Sequence, residues 1–371
     1  MPLTLLVSAR DPAAALHLGA VCIHARTDPR FRLRIVAQHP ACGILRGLGL
    51  DITEVPPLRA HDQGDAAARE LTGWADRIIA QVRPDVMLCG LSSPSDGGID
   101  EALLARRNVP AFLMQDFWGE QNHFFGAGAD VLFALDEDAR SINAKRWGIN
   151  SVVTGSPRHA GYENLEIRTL RRQVRDALQI VDGRPLIGLF GQPLQRFSGY
   201  RRTLETFAQA CGQLPLSPDV AYKPHPRETW REIEKTHKWF ESVGVRAKTM
   251  DKCSTEAALA ACDVTCTVFS NCAYDAAYLN RYSSSPLLVP VLMLFDRELV
   301  DFYSGIVEFS SLPYFSKQLA LMVGNESEMM PVLSEALADA TRERIWKNAY
   351  ALPDPSMSVE KILGALVGAS G

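Results

Sequence analysis

Residues Arg83-Pro84-Asp85-Val86-Met87-Leu88-Cys89 decide how the first half of this chain is read. A helical pattern over 65–81 stops before a proline, which cannot continue a helix, and a short apolar run follows at once. A helix that feeds directly into a buried strand is one step of a βαβ unit, and the same rhythm extends both ways along the chain. Strands are expected over 3–8, 33–38, 111–114, 131–135 and 151–154, with helices over 99–107 and 137–147 between them. Short apolar strands separated by helical patterns predict a mostly parallel sheet. The run Gly148-Ile149-Asn150-Ser151-Val152-Val153-Thr154-Gly155-Ser156-Pro157 reads as the last strand of this half and its exit turn.

A charged helical stretch over 163–179 carries the chain onward, and the pattern then restarts. Strands are expected over 185–190, 220–223 and 264–268, with helices over 200–213, 230–243, 257–262 and 271–279. Helical segments over 326–340 and 358–367 follow, with a proline-containing break at 353–355. The reading is an α/β chain of two Rossmann-like domains with a ligand cleft between them and a helical C-terminal tail. The expected boundaries are 1–160, 161–345 and 346–371, the last segment free to pack back on the first domain.

Composition agrees with that reading. At 371 residues, 47% hydrophobic and 22% charged, the chain can bury two sizeable cores. A formal net charge of −4 argues against nucleic acid as a partner. None of the eight cysteines forms a CxxC pair, and Cys262 with Cys266 lacks the second pair a zinc site needs. Buried thiols in a reducing cytoplasm are expected, with no metal and no cofactor. The N-terminal run Met1-Pro2-Leu3-Thr4-Leu5-Leu6-Val7-Ser8 soon meets Arg10 and Asp11, so it reads as a strand rather than an export leader. No segment offers about 18 uninterrupted apolar residues, which leaves peripheral contact as the expected form of membrane association.

Three loops of the second half follow strands and precede helices: Gly191-Gln192-Pro193, Lys223-Pro224-His225-Pro226 and Phe269-Ser270-Asn271. In parallel topology all three fall on one sheet edge, where open α/β sheets bind ligands. The prolines hold His225 in place, and Lys223 and His225 carry N–H donors suited to a phosphate. Ser270 or Asn271 can cap a helix whose first N–H groups attract an anion, and each also reads as an ordinary cap. Asp275, one turn into that helix, reads as a ribose ligand or as a solvated acid. The expected donor-nucleotide and phosphate ligands are Gly191, Gln192, Lys223, His225, Pro226, Ser270, Asn271 and Asp275.

The run from Cys262-Asp263-Val264 to Ser270-Asn271-Cys272-Ala273-Tyr274-Asp275-Ala276 resembles the nucleotide-binding end of GT-B glycosyltransferases. Lys223-Pro224-His225-Pro226 resembles the HP motif of bacterial sialyltransferases and related CMP-sugar, Kdo-type and CDP-glycerol transferases. Ser156-Pro157 after Val153-Thr154-Gly155 is similar to the turn that closes the first GT-B domain. The resemblance implies that His225 and Ser270 hold the donor phosphate. It also implies a general base in an acid-acid-glycine motif of the first domain. Ser95-Asp96-Gly97 supplies the second acid and the glycine, with Ser95 in place of the first acid. Asp100 and Glu101 are rivals that read as the start of a helix.

A second base candidate, Asp116, lies in Gln115-Asp116-Phe117-Trp118-Gly119-Glu120-Gln121-Asn122-His123, where aromatic faces and polar groups suit a sugar ring. Ser92, Ser93, Trp118 and His123 are the expected acceptor or sugar contacts, with Asp96, Asp116 and His225 as the catalytic set. The function expected on these grounds is a metal-independent glycosyltransferase of surface glycan synthesis. It would move a nonulosonic sugar from a CMP donor to a glycan, lipid-linked or protein acceptor. A hydrolysing UDP-sugar 2-epimerase of the same fold is the first alternative, lacking only an obvious set of acids near the sugar. A nonenzymatic two-lobed binding protein is the second.

Overall fold

The computed structural model describes residues 1–93, 96–304 and 316–369. The chain divides into two compact units, Met1–Gly161 with Pro353–Gly371, and Tyr162–Leu352. Each is a parallel sheet flanked by helices, so the two Rossmann-like layers read from the sequence are present.

The first unit holds strands β1 (Leu3–Ala9), β2 (Phe31–Ala37), β3 (Thr53–Glu54), β4 (Val86–Gly90), β5 (Ala111–Met114), β6 (Val131–Ala134) and β7 (Ser151–Val153). Their spatial order is β3-β2-β1-β4-β5-β6-β7. Every pairing is parallel, with Leu5 opposite Val86 and Met87 opposite Ala111. The central strand Val-Met-Leu-Cys-Gly is buried throughout, as a strand covered on both faces must be. Leu6, Met87, Leu113, Leu71, Ile78 and Leu103 belong to one core cluster. The helix Ala60–Val82 ends at Arg83, which takes a left-handed φ of 50° and donates its N–H to Ile79 O, and Pro84 follows. That helix begins five residues before the expected 65, because an extra turn joins it across Gly64 at φ 71°. The helix Ser358–Gly368 belongs to this unit and packs on the helix Pro12–Thr27.

The second unit holds β8 (Leu186–Phe190), β9 (Asp219–Lys223), β10 (Lys248–Thr249), β11 (Val264–Thr267), β12 (Val289–Met293) and β13 (Leu321–Val323). Their order is β10-β9-β8-β11-β12-β13, again all parallel. In each unit the order reverses beside the first strand, between β1 and β4 and between β8 and β11. A crevice opens at such a point on the carboxyl edge of the strands. Asp263 fixes the opposite edge. Its carboxylate accepts from Arg171, Arg175 and the Leu186 N–H at 2.7, 3.2 and 2.8 Å. The helix Asp339–Ala349 packs on Cys272–Tyr282 within the same unit.

Candidate functional site

The carboxyl edge of the second sheet brings the three predicted loops together. Gln192, just past β8, accepts from Thr267 Oγ1 at 3.2 Å and from the Phe269 N–H at 3.0 Å. Its own N–H donates to the buried Tyr200 hydroxyl at 3.0 Å. Gln192 therefore ties the β8 loop to the β11 loop across the switch point. The Lys-Pro-His-Pro turn lies beside them, because β9 pairs with β8 and Gly191 N donates to Lys223 O at 2.9 Å.

Within the turn, His225 Nδ1 accepts from the Arg227 N–H at 3.1 Å. The proton of a neutral His225 ring is then on Nε2, an N–H donor of the kind a phosphate oxygen takes. Glu228 holds the turn from the other side. It accepts from the His225 N–H at 2.6 Å and the Tyr222 hydroxyl at 2.5 Å, and from the Gln195 side chain.

Several residues have other work than the sequence implied. Lys223 Nζ donates to the carbonyls of Met250 at 2.8 Å and Cys253 at 2.5 Å, so it fastens the following loop instead of presenting itself to a phosphate. Gly191 is needed for room, since a Cβ there would stand 2.6 Å from Glu228 Oε2 and 2.7 Å from the Tyr222 hydroxyl. The helix after β11 begins at Cys272 with Asn271 at the cap position, and Asn271 makes no side-chain cap bond. Ser270 Oγ instead accepts from the Cys272 N–H at 3.2 Å. Asp275 is 2% exposed, which excludes the solvated-acid reading. Pro226 is exposed and shapes the turn.

The first sheet's carboxyl edge carries a charged network anchored by Arg10, which is 1% exposed at the end of β1. Its guanidinium donates to Asp96 and to Ser93 O, each at 3.0 Å. Arg59 lies 3.8 Å from the same Asp96 carboxylate. Gly98 makes this possible, because a Cβ there would meet Arg10 Nε at 2.5 Å. Asp11 accepts from Ser93 N–H and Oγ at 2.7 and 2.9 Å. Asp100 is fully buried and accepts from Ser8 Oγ at 2.5 Å and from Ser92 Oγ. Burial lifts its carboxyl above the ordinary range, against the pull of Arg10 and the two hydroxyls. Glu101, equally buried, caps the loop backbone at Gly97, Gly98, His123 and Phe124. A pocket of about 310 Å³ opens beside this network, lined in part by Arg10, Gln38, His39, Arg59 and Gln63.

Two of the expected sugar contacts lie in the interior instead. Trp118 is 0% exposed and its indole N–H donates to Asp136 at 3.1 Å, so its ring is core and has no open face for a sugar. Ser92 is buried with its hydroxyl on Asp100 and its N–H on Asn122. Ser93 is half-buried on Asp11, and His123 is half-buried against the Trp147 ring at 5.2 Å. Asp116, 9% exposed, lies just past β5.

Glu120 follows in the same loop, 2.9 Å from Arg146. Burial pushes its carboxyl up to about 7, against the opposing pull of Arg146 and His123. Between the ordinary glutamate value and 7 the folded chain therefore keeps a proton that the unfolded chain has lost. Stability should fall as pH rises through that window and level off above it. E120Q should remove the fall, on the order of 2 kcal/mol, as read from urea midpoints at pH 5 and 8. An unchanged slope in E120Q would place the buried proton elsewhere.

Arg10 and Glu228 are the functional-edge residues that reading the sequence missed. The available signals were an arginine at a strand's end before Asp11-Pro12, and an acid three residues after a turn histidine. Among the described residues no three His, Cys, Asp or Glu side chains are grouped to hold a metal ion, and no helix is long and apolar enough to cross a membrane.

No family model and no curated protein matches the sequence. Solved structures do match over the whole chain. The UDP-GlcNAc 2-epimerase of Neisseria meningitidis bound to UDP-GlcNAc is 11% identical, with a TM-score of 0.74 over 99% of this chain and 100% of that one. That of Methanocaldococcus jannaschii, in complex with UDP-GlcNAc and UDP, is 14% identical, with a TM-score of 0.69 over 99% and 100%. A glycosyltransferase from Rickettsia africae is 9% identical, with a TM-score of 0.63 over 99% and 98%. The chain thus has the GT-B-type fold of these enzymes, two Rossmann-like units with a helical C-terminal end.

Proposed function

We propose that this chain binds a UDP-sugar through its second unit and inverts carbon 2 of the sugar, the first alternative above. The observation that favours this over nonulosonic transfer is the acid-rich edge of the first sheet. Asp11, Asp96, Asp100, Glu101, Asp116 and Glu120 lie in the segments that follow β1, β4 and β5 at that edge, with Asp96 held by Arg10. The similarity to solved 2-epimerases supports the same choice.

The chemistry needs a base on one face of carbon 2 and an acid on the other. The C2–H bond becomes labile as the diphosphate leaves C1. Its electron pair forms the C1=C2 bond, the base takes the proton, and the diphosphate departs with the C1–O pair. Addition of the diphosphate oxygen, or of water, to C1 with protonation of C2 from the other face gives the epimer. Asp96 and Asp116 are the proposed proton carriers, since Asp100 and Glu101 are fully buried and committed to hydroxyl and backbone donors. His225 Nε2–H and the Ser270–Asn271 turn would meet the leaving diphosphate, and Asp275 the ribose.

The test is UDP-GlcNAc in D₂O, followed by proton NMR. Deuterium at C2 and a new C2 epimer, as nucleotide sugar or as free sugar, are the expected results. A protein whose melting temperature no nucleotide at millimolar concentration raises would refute nucleotide binding itself. The transferase reading keeps the Lys223-Pro224-His225-Pro226 turn in its favour. It would be preferred if CMP-sugars shift the melting temperature and UDP-sugars do not.

A further inference from the structure

Resting on the second unit as the nucleotide-binding one, we infer that Glu228 is a positioning residue that sets the ring of His225 for the diphosphate. Glu228 does not belong to the Lys-Pro-His-Pro motif, yet it closes the turn in both directions. Its own N–H donates to His225 O at 2.9 Å while its carboxylate accepts the His225 N–H at 2.6 Å. This double clasp fixes the peptide on either side of the imidazole. The ring folds back with Nδ1 on the Arg227 N–H at 3.1 Å, which puts the proton of the neutral ring on Nε2.

A carboxylate suits the place because it only accepts. Three donors converge on its two oxygens, from Tyr222, Gln195 and His225. The seat is shaped for it as well, since anything larger than glycine at 191 would meet Oε2 at 2.6 Å. Gln195 belongs to the loop after β8, so Glu228 joins that loop to the histidine turn much as Gln192 joins it to the β11 loop. Burial lifts the Glu228 carboxyl above its ordinary range, and the Tyr222, His225 and Gln195 bonds pull it back toward the charged form.

The experiment compares E228A, E228Q and E228D with the whole wild-type chain by UDP calorimetry, melting temperature without ligand, and ¹⁵N spectra of histidine-labelled protein. E228A should weaken UDP binding by about tenfold or more, as expected for losing a bond that orients a charge-binding donor. Its His225 nitrogens should change from one fixed Nε2–H form to an exchanging pair. E228Q should restore most of the affinity. A glutamine can keep its oxygen on the His225 N–H while the Tyr222 hydroxyl rotates and the Gln195 amide flips to accept from its NH₂. E228D, one carbon shorter, should not restore it, and it serves as the loss variant if E228A fails to fold.

UDP affinity within twofold of wild type in E228A or E228D would overturn the inference. So would losses in E228A and E228Q that merely track melting temperature. Should the wild type bind no UDP, the nucleotide reading fails by itself. The His225 nitrogen signals of the free variants still decide the positioning role, and unchanged signals would overturn it.

Discussion

Asp263→Ala is expected to destabilise the second unit by about 3–5 kcal/mol, the range for removing one partner of a buried ion pair. Asp263 is 6% exposed, and its carboxylate holds Arg171, Arg175 and the Leu186 N–H. Its backbone also joins neighbouring strands, with Asp263 N donating to Leu186 O and Val289 N donating to Asp263 O. Removing the side chain leaves two guanidinium groups and one strand N–H without their acceptor. Arg171 keeps carbonyls at the end of the helix Thr255–Ala261, and its side chain is 26% exposed, so the loss should fall near the lower end. Urea unfolding monitored through second-unit tryptophans would show it as a lower midpoint. A shift below about 1 kcal/mol would mean that water screens the pair.

His225→Ala is expected to lower turnover of the nucleotide sugar by about 10²–10³, the cost of one oriented donor at a developing charge. The ring is half-buried in a turn, so the melting temperature should change little. Steady-state kinetics with the epimerase assay separates the outcomes. A fall in kcat places His225 at the departing diphosphate, whereas a rise in KM alone assigns it to ground-state binding. Near-normal turnover in the folded variant would leave His225 as a turn residue.

The regular parts of the fold were legible because each strand is a short buried run bounded by strong punctuation. β5 and the helix Glu137–Trp147 lie where the pattern places them, the latter between an Asp136 cap and Gly148 at φ 63°. The helix Pro12–Thr27 had no such signature. It buries His17, Leu18, Gly19, Val21 and Cys22 around much of its girth, so no apolar stripe repeats at helical spacing. β12 was hidden by Pro290, which argues against an interior strand. The ladder accommodates it because Val289 N–H donates toward β11. The next N–H position therefore faces β13, whose pairing begins only at Val291.

The site was legible as an edge and less so as residues. Strand ends mark the edge on which Gln192, His225 and Ser270 lie, but no local pattern tells a lysine that binds phosphate from one that binds two carbonyls. Lys223 is the second kind. Trp118 fails for a related reason: an aromatic in a polar loop looks exposed until its indole N–H finds Asp136. Asp100, Glu101 and Glu228 depend on partners 92, 22 and 33 residues away, at Ser8, His123 and Gln195, which spacing along the chain cannot reveal.

Because the first unit takes Met1–Gly161 and then Pro353–Gly371, the ribosome delivers its pieces at different times. The segment Tyr162–Leu352 is continuous and can fold as it emerges. The earlier sheet must wait for the helix Ser358–Gly368 to cover the helix Pro12–Thr27, and only then can Ser358 settle against Gly155, where a Cβ would stand 2.7 Å from its hydroxyl. A nascent chain halted before this helix should therefore present a protease-resistant second unit beside a sensitive first one.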